Sequence, residues 1–168
     1  MRWQPAYVGL GSNLEDPCRQ IRWAVARLAE RPDICGLICS GIYLSPPMGP
    51  QDQPDFLNAV CGLLTCLPAE ELLAVLHELE EQRGRQRSER WGPRTLDLDL
   101  LVYAQELSDR DDLRLPHPGI HERSFVLYPL AEIAPALEIP GRGRVSHLAA
   151  ACGRQGLQLY VDAGDNKE

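Results

Sequence analysis

Leu96-Asp97-Leu98-Asp99-Leu100 alternates apolar and acidic residues without interruption. On a strand, successive side chains leave from opposite faces, so this run sends Asp97 and Asp99 to one face and three leucines to the other. The leucine face needs a core behind it. The acidic face needs a different explanation: the two carboxylates are rooted about 7 Å apart, Asp is a poor strand former, and like charges on one side of a sheet repel. A hard divalent cation removes the conflict. Mg²⁺ takes oxygen ligands and commonly binds one or two carboxylates together with substrate phosphates. A solvated sheet face carrying two aspartates is the alternative that this run leaves open.

Positive charge lies directly beside the run. The chain has a net charge of −7, and of its 17 basic residues only Lys167 is a lysine. Arg83, Arg85, Arg87, Arg90 and Arg94 fall within the twelve residues from 83 to 94. The planar guanidinium fork suits phosphate. A dense arginine loop next to paired carboxylates therefore points to a small polyanion and to phosphoryl chemistry, in which a protein positions groups and neutralises developing charge. The overall negative charge opposes a nucleic-acid polymer or an anionic membrane surface. No G-x-x-x-x-G-K-[ST] run is present, so nucleotide phosphates would be held by arginines and metal. Gly9-x-Gly11 resembles the start of a dinucleotide fingerprint, but Leu14 stands where the third glycine belongs, and Gly11-Ser12-Asn13 predicts a tight turn with capping.

The 168 residues are 44% hydrophobic and 24% charged, which suits one domain with a real core. Ala6 to Leu10 predicts a first strand. Asp16 and Pro17 then mark a helix start, with Ile21, Ala24, Val25 and Leu28 on one face and Pro32 closing the segment. A second strand is expected from Ile34 to Tyr43, followed by a proline-stiffened loop from Leu44 to Asp55. A third strand fits Phe56 to Thr65, and a helix from Pro68 to Gln82 turns Leu72, Val75, Leu76 and Leu79 inward. The arginine loop and a fourth strand, Leu96 to Tyr103, complete the order β-α-β-β-α-β. That order predicts an α+β, ferredoxin-like sandwich: an antiparallel sheet with two helices on one face and the other face open.

C-terminal additions follow: an acidic loop from Ser108 to Asp112, an apolar stretch from Phe125 to Ile133, a short helix capped by Ser146, and a strand-like Leu157 to Val161. The expected organisation is a single domain over 1–163 with a frayed tail over 164–168. Six cysteines lack any C-x-x-C pair and are expected to be free thiols. The N-terminus shows no secretory apolar run and no stretch is long enough to span a membrane, so a cytoplasmic protein is expected. His117 and His121 are spaced i, i+4, but Pro116, Pro118 and Gly119 oppose the helix that would aim both at one zinc ion. For His117, a hydrogen-bonding role near phosphate and a structural role both stay open. His77 is expected at the surface.

Three stretches carry a resemblance: Pro46-Pro47-Met48-Gly49-Pro50-Gln51-Asp52-Gln53-Pro54-Asp55-Phe56-Leu57-Asn58, then Arg85-Gln86-Arg87, then Arg90-Trp91-Gly92-Pro93-Arg94-Thr95-Leu96-Asp97-Leu98-Asp99-Leu100. Together they closely resemble the 6-hydroxymethyl-7,8-dihydropterin pyrophosphokinases of folate biosynthesis, and the similarity extends from Tyr7 to Pro135. The resemblance implies a ferredoxin-like fold and transfer of pyrophosphate from ATP to the pterin hydroxymethyl oxygen, with release of AMP. By position, Asp97 and Asp99 would hold two Mg²⁺ ions, Arg85 and Arg94 would contact phosphates during catalysis, and Arg87 would help bind ATP. Trp91 would close over the substrates. Phe56 and Phe125 would stack on the pterin ring, while Asn58, Ser45 and the main chain around Met48 would read its amide edge. Glu80, His117 and Arg123 match positions that contact ATP. The chain departs from some members at His77, Asp112, Pro118 and Ser88, so its adenine and ribose contacts do not carry over.

Two other classes compete with this reading. Ferredoxin-like sheets also bind single-stranded RNA, but Phe56-Leu57-Asn58-Ala59-Val60-Cys61 lacks the aromatic-rich pattern of such modules. A regulatory domain that binds pterin or nucleotide without turnover would keep the fold and release no AMP. The expected partners are therefore ATP and the pterin, with neither nucleic acid nor membrane, and the expected state is a monomer.

Overall fold

The computed structural model describes residues 2–47, 49, 51–84 and 95–161. In chain order the elements are β1 (Gln4–Ser12), α1 (Pro17–Ala29), β2 (Ile34–Cys39), β3 (Tyr43–Ser45), β4 (Phe56–Thr65), α2 (Ala69–Gln82) and β5 (Asp97–Tyr103). They continue with β6 (Ser108–Arg110), β7 (Leu113–Leu115), α3 (Ser124–Ile133), β8 (Glu138–Ile139), β9 (Gly143–Arg144), α4 (Val145–Cys152) and β10 (Gln158–Leu159).

An antiparallel six-stranded sheet organises the molecule. β1 runs between β4 and β5, and the far side of β4 is shared by β2 and β3, with β10 added beyond β3. Asp16 caps α1 as its position predicts, its carboxylate accepting from the Arg19 main-chain N–H, with Pro17 opening the helix. Ile21, Ala24 and Leu28 of α1 and Leu72, Leu76 and Leu79 of α2 pack on one sheet face against Val8, Leu10, Ala59, Leu98 and Leu100.

The other face is not left open, which corrects the sequence-based expectation. Val60 and Leu101 pack there with Ile120, Val126, Leu127 and Leu130, and α4 adds Val145 and Ala149. The apolar stretch from Phe125 to Ile133 is the body of α3, and its apolar side supplies this second core. Cover extends over only part of the face. Tyr7, Val60 and Leu101 lie beneath the helices, whereas Gly11, Asn58 and Asp97, two or more residues further along the same strands, lie toward the opposite end.

Further corrections follow from strand register. The expected strand from Ile34 to Tyr43 is two strands, because Cys39 pairs with Cys61 and Tyr43 with Asn58, leaving one extra residue on the β2–β3 side. That surplus forms a bulge at Ser40–Ile42, where the Ser40 hydroxyl accepts from the Val60 N–H at 3.0 Å. The same register places Cys39 and Cys61 directly opposite each other, with Cα atoms 4.1 Å apart, and the two are joined as a disulfide. The expectation of six free thiols is thereby corrected; Cys18, Cys35, Cys66 and Cys152 form no disulfide. Residues Ser108 to Asp112 are not a simple loop but begin the β6–β7 hairpin. Ser146 is not the cap of α4: the capping position is Arg144, and it makes no side-chain cap bond. Gly11 and Ser12 do not turn but complete β1. No helix among the described residues is long and apolar enough to cross a membrane.

Leu127 gives a direct test of the second layer, being fully buried on the core-facing side of α3. Leu127→Ala should lower stability by about 2–5 kcal/mol, the usual cost of emptying a closed core site, against roughly 0.5 kcal/mol at an exposed position. Urea unfolding with an unchanged slope is the measurement.

Candidate active site

The alternation that predicted β5 is realised. Leu98 and Leu100 are buried against α1 and α2, and Asp97 and Asp99 are half-buried on the other face. β1 places Gly11 opposite Asp97 and Gly9 opposite Asp99, and on its other side the same glycines oppose Asn58 and Val60. A row therefore runs across three strands from Asn58 over Gly11 to Asp97. A Cβ at Gly11 would come within 3.0 Å of the Asn58 Oδ1. Glycine there leaves a floor between an amide and a carboxylate.

Asn58 is buried and donates from Nδ2 to the Ser45 hydroxyl at 2.8 Å. Ser45 in turn stands opposite Phe56 in the β3–β4 register. Phe56 is half-buried, as is Phe125 in the first turn of α3, and the Arg123 guanidinium carbon lies 5.9 Å from the Phe125 ring centroid. Ser45, Phe56, Asn58 and the carboxylates are thus gathered on one face of the sheet, with α3 overlying β4.

Two side chains at the end of β1 anchor the loops flanking this face, and sequence reasoning gave neither a site role. The Ser12 hydroxyl donates to the carbonyl of Thr95, where the chain returns from the arginine loop. The Asn13 amide donates to the Gln53 side chain at 3.0 Å and to the Pro54 carbonyl at 2.9 Å, tying down the proline-rich loop. A signal existed in the sequence: two small polar residues directly after a glycine strand end. Read alone, they suggested a turn.

His117 follows the cis peptide between Leu115 and Pro116. Its main-chain N–H donates to the Leu101 carbonyl at 2.9 Å, and its Nδ1 accepts from the Gly119 N–H at 3.3 Å. Nε2 consequently carries the proton in the neutral ring, and it faces the Asp99 carboxylate at 3.9 Å. Burial, reinforced by the Arg123 guanidinium and opposed by Asp97, pushes the imidazole pKa down to about 4. His121 instead lies 3.4 Å from the Glu122 carboxylate.

Glu80 is 1% exposed on α2, and its Oε2 accepts from the Leu98 main-chain N–H at 3.0 Å. That bond ties α2 to β5. Met48, Arg85, Arg87, Arg90, Trp91 and Arg94 lie outside the described residues. No group of three or more His, Cys, Asp or Glu among the described residues is arranged to hold a metal. Asp97 and Asp99 nevertheless fit a hard cation. They are oxygen donors on one face, and the Asp99 side chain is 38% exposed, so a bound ion could complete its shell with phosphate oxygens and water, the usual habit of Mg²⁺.

This face of the sheet thus presents two carboxylates in a row with a buried amide and close to aromatic side chains, and comparison with known proteins gives the class of protein. The family model described as 7,8-dihydro-6-hydroxymethylpterin-pyrophosphokinase matches residues 7–135. The chain belongs to that family. A 2-amino-4-hydroxy-6-hydroxymethyldihydropteridine pyrophosphokinase of Pseudomonas aeruginosa is 44% identical over 160 residues, covering 95% of this chain and 99% of the relative. Enzymes of the same name from Haemophilus influenzae and Bacillus subtilis are 42% and 43% identical, covering 85% and 79% of this chain and 89% and 80% of their own. Among solved structures, an HPPK-DHPS in complex with substrates superposes with a TM-score of 0.66 at 12% identity, over 89% of this chain and 43% of that one. A Plasmodium falciparum HPPK-DHPS with pteroate also gives 0.66, at 13% identity, over 89% of this chain and 42% of that one. This chain spans less than half of those longer chains, and at such identity the likeness is one of fold.

The His117 shift sets a pH dependence. A folded value of about 4 against an ordinary 6.5 means that the unfolded chain takes up this proton first, so the contribution to stability is complete above pH 6.5 and is lost as pH falls toward 4. In metal-free protein the His117 ring resonances should stay unchanged from pH 8 down to the mid-fives by NMR. A midpoint near the ordinary value would contradict the burial described above.

Proposed function

We propose that the chain transfers the pyrophosphoryl group of ATP to the hydroxymethyl oxygen of 6-hydroxymethyl-7,8-dihydropterin, giving the pterin diphosphate and AMP for folate biosynthesis. One observation carries this reading: Asn58 and Asp97 stand in a single cross-strand row with only Gly11 between them. Two strand spacings separate their roots by about 10 Å, a span suited to a bicyclic ring at one end and a reacting hydroxyl at the other. The Asn58–Ser45 pair reads the polar edge of the ring, and Phe56 and Phe125 stack on its faces.

The pterin hydroxyl oxygen attacks the β-phosphorus in line. The new oxygen–phosphorus bond forms as the bond from that phosphorus to the α,β-bridging oxygen breaks, AMP leaves with the bridging oxygen, and the hydroxyl proton passes to solvent. Two Mg²⁺ ions held by Asp97 and Asp99 would supply positive charge to the phosphate oxygens and acidify the hydroxyl. Asp97 and Asp99 fix where that charge sits. Neutral His117, with its Nε2–H toward Asp99, and Arg123, beside Phe125, orient the ATP phosphates. The family resemblance assigns Arg85, Arg87 and Arg94 to the triphosphate, Trp91 to closure, Glu80 to ATP and the Met48 main chain to the pterin.

The order β1-α1-β2/β3-β4-α2-β5, with β4 and β5 flanking β1, is read as ferredoxin-like, with β2 and β3 as one interrupted strand. The enzyme acts as a cytoplasmic monomer built from one domain over 1–163. Incubation with ATP, Mg²⁺ and the pterin should release AMP and not ADP; ADP would mark an ordinary kinase. Asp97→Ala and Asp99→Ala should each reduce turnover on the order of 10²-fold or more while leaving pterin binding in place, as read by calorimetry. Retained AMP release in either variant would remove its metal-ligand role.

A further inference from the structure

β5 is the edge strand of the sheet next to the arginine loop, and an edge strand presents main-chain donors and acceptors that nothing within the sheet satisfies. Two groups outside the sheet engage this edge. His117 donates its main-chain N–H to the Leu101 carbonyl, and the Glu80 carboxylate accepts the N–H of Leu98 at 3.0 Å. Leu98 is the residue between the two acids. Its N–H points away from β1, so Asp97 and Asp99 are the residues whose main chain faces β1 in the alternating antiparallel pattern. Fixing Leu98 therefore fixes the pleat that sends both carboxylates to the same side.

We propose that Glu80 is a positioning residue for the cation site: its carboxylate, reaching from α2 to the Leu98 N–H, holds β5 in the register and pleat that keep Asp97 and Asp99 directed at one shared ligand. This rests on the reading of Asp97 and Asp99 as metal ligands and assigns Glu80 a role other than the ATP contact that family resemblance gives it. Burial supports the distinction. At 1% exposure Glu80 is closed off from solvent, on a helix whose leucines pack against the face opposite the acids, and Leu98 beside it is buried at 2%. A buried carboxylate is retained only where it is hydrogen-bonded, and the Leu98 N–H is one donor it satisfies. The position also couples two neighbours of the site, since Glu80 lies in the last turn of α2, just before Arg83 and the loop that returns at Thr95.

The test compares Glu80→Ala with Glu80→Gln, which keeps an oxygen acceptor for Leu98. Hydrogen exchange at the Leu98 amide, followed by NMR on the resting protein, should accelerate at least tenfold in the alanine variant. Mn²⁺ binding in the presence of α,β-methylene-ATP, read by electron paramagnetic resonance, should weaken about 10–100-fold, the range seen when a ligand's supporting partner is removed. The half-saturating Mg²⁺ for AMP release should rise in parallel while the KM for the pterin holds, and the glutamine variant should recover most of both the protection and the metal affinity.

Faster Leu98 exchange with wild-type Mn²⁺ affinity would reduce Glu80 to a purely structural residue and overturn the proposal. So would a raised KM for ATP at saturating metal with Mn²⁺ affinity intact, which would mark a nucleotide contact. If the alanine variant fails to fold, the glutamine variant decides: loss of Mn²⁺ affinity despite a protected Leu98 amide refutes the role. Should the wild type release no AMP at all, the functional reading falls, whereas exchange and Mn²⁺ binding still judge Glu80.

Discussion

Two like charges on adjacent same-side positions of an edge strand are a standing electrostatic conflict, and much of the structure surrounding them makes that conflict tolerable. The leucines of the same strand are sunk into the layer under α1 and α2, so β5 cannot roll to separate its acids without exposing Leu98 and Leu100. β1 then lies alongside with glycines opposite both carboxylates. A larger residue opposite Asp97 would meet Asn58 and fill the space between the amide and the carboxylate. The acids are held together by packing and left approachable by the absence of side chains, which suits a site completed only when charged substrate arrives.

β1 is where the two halves of the site meet. It pairs with the strand carrying Asn58 and with the strand carrying the acids, and at its end Ser12 and Asn13 hold one loop each. Ser12 holds a main-chain carbonyl, whereas Asn13 holds both the Pro54 carbonyl and the Gln53 side chain, so the second anchor depends on which residue stands at 53. Because Asn13 is 2% exposed and Ser12 fully buried, displacing either loop strips a buried polar group of a partner at a cost of about 1–3 kcal/mol. Thr95 and Pro54 are thereby tied to the same strand end.

Period-two alternation made β5 and the facing of Asp97 and Asp99 readable from five residues, and helical spacing plus Asp16-Pro17 did the same for α1. The rest was hidden wherever the deciding contact was distant in sequence. The split between β2 and β3 comes from one surplus residue relative to β4, which no local pattern displays. Cys39 and Cys61 are 22 residues apart and meet only because that register opposes them. The second core layer was missed because Phe125 to Ile133 contains Pro129, which masks helical character, and because a ferredoxin-like order by itself supplies cover for only one face. Gly11 and Ser12 looked like a turn since glycine, serine and asparagine favour turns; close approach across the sheet was the actual demand. Of the candidate site, the shared facing of Asp97 and Asp99 was legible locally, the choice of Ser45, Phe56, Asn58 and Phe125 came through family resemblance, and the bonds from Glu80, Ser12 and Asn13 were legible only in three dimensions.

The protonation state of His117 belongs to the same electrostatic problem. A charged imidazolium 3.9 Å from Asp99 would offer that carboxylate a permanent partner and compete with any divalent ion for it. Burial and the neighbouring Arg123 guanidinium push the ring toward its neutral form, and the Gly119 N–H occupies Nδ1 so that the remaining proton points at the acid. The ring can then donate a hydrogen bond without neutralising the site. A protonated histidine would ease the repulsion between the two acids, and by doing so would weaken the attraction of this face for any other cation.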